Sequence, residues 1–276
     1  MPWHALLSLH YHAQGGRTVS HHRHEGPLRI FKSLYPEGPA ICHDVIVHPP
    51  GGIVAGDRLD IRIDAEAGTH ALLSTPGATR FYASDGEPGA QHVDIRLGAG
   101  ARLEWLPLET LAFPGCQAQN TLAMTLAEGA EMIGWDVLAL GLPTAGQPFT
   151  RGRVHQRIAW PGVWLEQATI DGADQRLLDA PLGLGGRRCL GTLWLASARP
   201  LAHERREALL EAVRAVLPAP GGEVEAGATC PDPRVLLVRA LAPLAEPLMA
   251  TLQAAWAQLR QYAWGLPARP PRIWGV

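Results

Sequence analysis

Between residues 58 and 140, apolar and polar positions alternate or run continuously apolar in short stretches: RLDIRID (58–64), HALLST (70–75), QHVDIRL (91–97), ARLEWLP (101–107), NTLAMTL (120–126) and EMIGWDVLAL (131–140). Alternation with a period of two places successive side chains on opposite faces of a strand, and the Gly, Pro and acidic residues between the stretches mark turns, so each reads as β. DIRIDAEAGTHALL, VDIRLGAGARLEWL and LAMTLAEGAEMIGW repeat one design of strand, glycine turn, strand, with Gly68, Gly100 and Gly129 spaced 32 and 29 residues apart. A repeat near that length suits units that stack and bury one another's faces; a plain meander with coincidental turn lengths is the alternative. The stacked reading predicts that the three glycine turns lie in neighbouring layers along one edge.

The periodicity changes after residue 200. HERREALLEAVRAVLP (203–218) lines up Leu209, Leu210, Val213, Val216 and Leu217, with Pro218 and Pro220 beyond, and a second helix from about Glu246 to Trp264 lines up Leu248, Leu252, Trp256, Leu259 and Tyr262 before Gly265 and Pro267. PRVLLVRAL (233–241) between them reads as a strand, and 218–233 as a long loop. The expected fold is mainly β: a stacked, helical layering of strands with two C-terminal α-helices packed on it. It forms one domain over 1–276, β-rich to residue 200, with a helix, strand, helix tail from 201. Nine tryptophans and the two apolar stripes suggest a docking face for a partner.

Composition narrows the function. With 47% hydrophobic and 18% charged residues the 276-residue chain can bury a large core, and a formal net charge of −2 provides no global field to recruit nucleic acid or an anionic membrane. Apolar runs stop short of the ~20 residues a spanning helix needs. Four scattered cysteines without a CxxC pair, and no basic-then-apolar leader, indicate a cytoplasmic protein with reduced thiols. No phosphate loop, GxGxxG, GxSxG or HExxH is present, and Lys32 is the one lysine, which argues against nucleotide chemistry and the familiar serine and zinc hydrolases.

Two groups of residues carry possible chemistry. Six of the 12 histidines fall in the first 24 residues, where HYH and HHRH place His10, His12, His22 and His24 at strand spacing suited to a borderline metal; a mobile, solvated N-terminal strand is the simpler explanation. His43 and His48, flanking a probable strand, read as structural. Asp57, Asp136 inside MIGWDVLAL and Glu166 inside WLEQATI are carboxylates in apolar surroundings, which need either an arginine partner or a watery cavity. A metal-dependent hydrolase using the histidines with Asp57 is one reading of these groups, and a metal-free β scaffold that binds partners is another.

One turn is unusually elaborate: HPPGGIVAGD (48–57), in which Pro49, Pro50, Gly51, Gly52 and Gly56 lead to Asp57. Together CHDVIVHPPGGIVAGD (42–57), STPGATRFYAS (74–84), WLPLETLAFPG (105–115), GWDVLALGLP (134–143) and PRIWGV (271–276) resemble, in order and spacing, the urease accessory protein family UreD, also called UreH. The resemblance runs from about His10 to the end. It implies a non-enzymatic maturation factor that binds the urease apoprotein and, through a UreF-like protein, the UreG-like GTPase that delivers nickel. It also implies no tightly bound cofactor, with Ni²⁺ passing transiently along a polar interior tunnel that Asp57, Asp136 and Glu166 match in position. Departures are VAGD where VGGD is commoner, Arg58 where an acid is sometimes found, and Leu108 where glutamine is frequent.

Overall fold

The computed structural model describes residues 2–275. Its strands form two sheets. Sheet one holds β1 (His4–Gln14), β2 (Arg17–Glu25), β5 (Arg58–Ala65), β8 (Gly89–Leu97), β11 (Gln117–Leu126), β14 (Arg153–Trp160) and β15 (Trp164–Asp171), in the spatial order β15-β14-β11-β8-β5-β1-β2. Sheet two holds β3 (Arg29–Ile30), β4 (Ile41–Val47), β6 (His70–Ser74), β9 (Arg102–Leu106), β12 (Glu131–Leu142), β16 (Cys189–Ser197), β17 (Glu225–Asp232) and β18 (Val235–Ala242), with the short strands β7 (Thr79–Phe81), β10 (Thr110–Ala112) and β13 (Gln147–Pro148) joined beside β12.

The chain visits the sheets in turn. β5, β8, β11 and β14 pair in parallel in sheet one, and β4, β6, β9 and β12 in parallel in sheet two. A third, narrower face stacks Ile53 on β7, β7 on β10, and β10 on the second half of β12. Each circuit is one coil of a β-solenoid-like body, because a parallel neighbour can be reached only by crossing over. The turns of Gly68, Gly100 and Gly129 stack as expected: Gly68 N–H bonds to Ala99 O and Gly100 N–H to Glu128 O, each at 3.0 Å. All three glycines hold φ between 65° and 73°, a conformation other residues resist. Antiparallel strands close both ends: β2 and β3 at one, β15 and the β16-β18-β17 meander at the other.

The central strands of sheet two are buried on both faces, which explains why EMIGWDVLAL reads as continuously apolar. Met132, Leu138 and Leu140 join the core between the sheets, while Ile133, Trp135, Val137 and Ala139 join a second core under the helices. Three helices are present among the described residues: α1 (Gln175–Asp179), α2 (His203–Arg214) and α3 (Ala245–Trp264). The apolar stripes of α2 and α3 are covered by sheet two, with Leu209, Leu210, Val213, Leu248, Leu252, Trp256 and Leu259 all buried. Most of each stripe is therefore core, and Tyr262 of the α3 stripe is left exposed.

Three expectations are corrected. α2 stops at Arg214, and Val216 and Leu217 follow in a tighter turn, their N–H groups bonding to Val213 O and Arg214 O ahead of Pro218. The expected loop 218–233 contains the edge strand β17, whose register shifts between Thr229 and Asp232 and so accommodates Pro231. The N-terminal histidine-bearing segment is integral to the body: β1 pairs with β5, and Ala5, Leu7, Leu9 and Tyr11 are buried.

Candidate functional site

Register aligns the inward side chains of sheet one in rows. One row is apolar from Leu7 through Ile61, Val93, Leu122 and Ile158, and ends on Glu166. The adjacent row begins Ala5, Leu59 and then turns polar at Gln91, Asn120 and Gln156. Asp136 meets this polar seam from β12 on the facing sheet. Asn120 Nδ2 donates to Asp136 Oδ1 at 3.0 Å, Gln156 Nε2 to Asp136 Oδ2 at 2.5 Å, and Gln91 Nε2 to Asn120 Oδ1 at 3.3 Å. Burial pushes the Asp136 carboxyl up to about 6 against the opposing bond from Asn120, and the nearby Glu166 charge adds to the rise. Glu166 is itself engaged: Thr192 Oγ1 donates to Oε1 at 2.9 Å and Arg239 to Oε2 at 2.6 Å.

Cavities flank the seam in series. One of about 100 Å³ is walled by Asp136, Gln156, Glu166 and Thr192. A second, only about 20 Å³, is walled by Gln91, Trp105, Leu108, Thr110, Asn120 and Asp136. A third of about 220 Å³ touches Gln91 and Trp105 again and reaches His48, Gly51, Thr75 and Arg80. Successive cavities share walls, and even the narrow one exceeds the ~10–15 Å³ that a water requires. Three water-sized compartments thus adjoin through shared wall residues, and one carboxylate, Asp136, borders two of them.

Asp57 is placed differently. It is 2% exposed and lines none of these three cavities. Its Oδ1 accepts from Trp3 N–H at 3.2 Å and its Oδ2 from Val54 N–H at 3.1 Å, so it ties the start of the chain to the turn that follows Pro49 and Pro50. Gly51 and Gly56 in this turn have φ near +75°, and a Cβ on Gly52 would sit 2.0 Å from the Tyr82 ring.

A family model described as UreD urease accessory protein matches residues 4–275. The chain is 55% identical to the urease accessory protein UreD of Paracidovorax citrulli (strain AAC00-1) and of Variovorax paradoxus (strain S110), and 54% identical to that of Albidiferax ferrireducens, in each case over the full length of both proteins. The chain belongs to the UreD family. Its family role is accordingly in urease maturation.

Within this UreD chain the structure separates the N-terminal histidines into two sets. His10 pairs across the hairpin with His21, so His10, His12 and His21 share one face of sheet one while His22 and His24 turn to the other. The His12 and His21 rings stack at 5.0 Å, and His10 Nε2 lies 3.0 Å from Glu66 Oε1. Among the described residues no group of three or more His, Cys, Asp or Glu side chains is arranged to hold a metal ion. Of the departures from the family pattern, Leu108 stands in the wall of the narrowest cavity, whereas Arg58 pairs with Asp60 at 3.0 Å and is largely exposed.

Asn120, Gln156 and Gln91 were not singled out from the sequence. A signal for Asn120 was present: in NTLAMTL it shares parity with Leu122 and Met124, so a polar residue occupies an inward position. Gln156 carries the same mark, sharing parity with the inward Val154 and Ile158, but its partner Asp136 lies 20 residues earlier and cannot be read from the local pattern.

Proposed function

We propose that this chain is a non-catalytic, cytoplasmic component of the urease maturation complex, and that Ni²⁺ on its way to the urease apoprotein crosses its polar interior. The observation that carries this reading is Asp136, a carboxylate held by amides and without an arginine partner among the described residues, between two water-sized compartments. A hydrated divalent cation tolerates oxygen donors, and a transit path needs sparse, weak sites from which it can leave. The narrow middle compartment would demand partial dehydration, with the amide and carboxylate oxygens of Asn120, Gln91 and Asp136 standing in for lost waters. In this reading the chain contacts the urease apoprotein and a UreF-like protein, and through the latter a UreG-like GTPase. It holds no resident cofactor. Among the described residues no helix is long and apolar enough to cross a membrane.

Urease produced in cells that carry Asp136→Asn or Glu166→Gln in place of the wild-type chain provides the test. The reading expects accessory complexes recovered in normal yield, urease with reduced nickel content, and partial recovery when the medium is enriched in Ni²⁺. Normal nickel loading with either variant would defeat the passage, and failure of the complex to assemble would assign these carboxylates to structure instead.

A further inference from the structure

We propose that His48 is the nitrogen donor at the end of the cavity series remote from Glu166, binding a partly hydrated divalent first-row transition cation, and that Asp57 acts by positioning it. This rests on the reading of the interior as a cation passage and adds an entry or exit ligand to it. His48 lines the 220 Å³ cavity, the only one of the three in series that it touches. Its Nε2 is buried and has no hydrogen-bond partner. A buried ring nitrogen left in that state costs free energy unless water or an ion completes it.

The surroundings hold this one ring in place. His48 O accepts from Gly51 N–H at 2.9 Å, closing the turn that the two prolines begin. Positive φ at Gly51 and the contact that any Cβ on Gly52 would make with Tyr82 leave that turn little freedom. On the other side the Trp3 ring stacks on the imidazole with centroids 5.4 Å apart and planes inclined by 26°. Trp3 is anchored in turn by its backbone N–H on Asp57 Oδ1. The carboxylate therefore reaches the cavity through Trp3 and His48 rather than directly. Burial favours the free-base imidazole at His48, with the Asp57 charge opposing, and the free base is the form that ligates nickel. Arg80 borders the same cavity, and its charge disfavours a long-lived cation there, which suits passage more than storage.

The test is NMR of the full chain labelled with ¹⁵N in histidine rings and side-chain amides, titrated with Ni²⁺, whose paramagnetism broadens nearby signals. The His48 ring signal is assigned as the one missing from His48→Asn. The proposal expects this signal to broaden together with the Asn120 and Gln156 amides, and the amide broadening to fall severalfold in His48→Asn while His10, His12 and His21 still respond. Asp57→Ala should shift the His48 signal and weaken its broadening, and Asp57→Asn, which keeps one acceptor oxygen for the Trp3 N–H, should weaken the broadening less. If the interior amides broaden while His48 stays sharp, or if His48→Asn leaves them unchanged, the assignment of His48 is overturned and the passage stands. If only the surface histidines respond, the passage itself fails, and His48 with it.

Discussion

Two buried polar clusters face opposite sides of sheet two, and they are built on different principles. Under α3, Glu104 accepts from Trp256 Nε1 at 2.8 Å and Arg260 Nε at 3.1 Å, with His70 Nε2 at 3.0 Å. Arg260 continues to Glu37 at 2.7 Å and to the Pro267 carbonyl, and His43 Nε2 lies 2.8 Å from Glu37. Opposite charges meet directly, and the cluster links residues up to 223 positions apart. Between the sheets, Asp136 has only amide donors and borders water-sized space. Burial acts against both Glu37 and Asp136. Bonds from His43 and Arg260 overcome it and hold Glu37 down to about 2, whereas Asp136 stays raised to about 6. The first cluster is a clamp of paired charges, and the second is a carboxylate that burial disfavours and only neutral amides hold.

That contrast breaks first at Arg260. Arg260→Ala strands Glu104 and Glu37 in a buried site, and the expected loss is about 3–5 kcal/mol in denaturant unfolding. A loss below ~1 kcal/mol would show that the cluster clamps nothing.

Asp136→Asn should do the reverse. A carboxyl with a raised folded pKa binds more protons when folded than unfolded, so this residue's contribution to stability falls as pH rises from about 4 through about 6 and is flat beyond. Asn removes that slope, with a difference between wild type and variant that varies across the window by on the order of 2 kcal/mol. Parallel stability curves over pH 4–7 would contradict the environment assigned to Asp136. Glu37 works the other way: its contribution is present above about 4.5 and fades as pH falls through about 2. The two clusters should therefore separate in an acid titration.

The smallest effect is expected at Arg239→Ala. Arg239 is more than half exposed, so losing its pair with Glu166 should change stability by less than ~1 kcal/mol. A larger loss, measured by thermal unfolding, would make Glu166 a structural anchor of the β15 edge.

The solenoid was legible because its coils repeat locally: strand, glycine turn and strand lie within one stretch, and the 32 and 29 residue spacing carries directly into the stacked turns. Asp136 and Glu166 stood out as charges in apolar runs. What stayed hidden depends on pairing between distant segments. β17 has a glycine, a proline and little apolar character, and is a strand only because β18 offers its edge. The polar seam exists only once the register sets Gln91, Asn120 and Gln156 side by side. Likewise Asp57 stands in the sequence as the end of a conspicuous turn, but its two backbone donors include Trp3, 54 residues earlier.

If Ni²⁺ crosses the interior, the space between Asp136 and Glu166 accepts it. Anomalous diffraction at the nickel edge, from crystals soaked in a nickel salt, should then show density in the cavity walled by Asp136, Gln156 and Glu166, lost in Asp136→Asn crystals. Nickel found only on the exposed histidines of β1 and β2, with that cavity empty, would contradict the crossing.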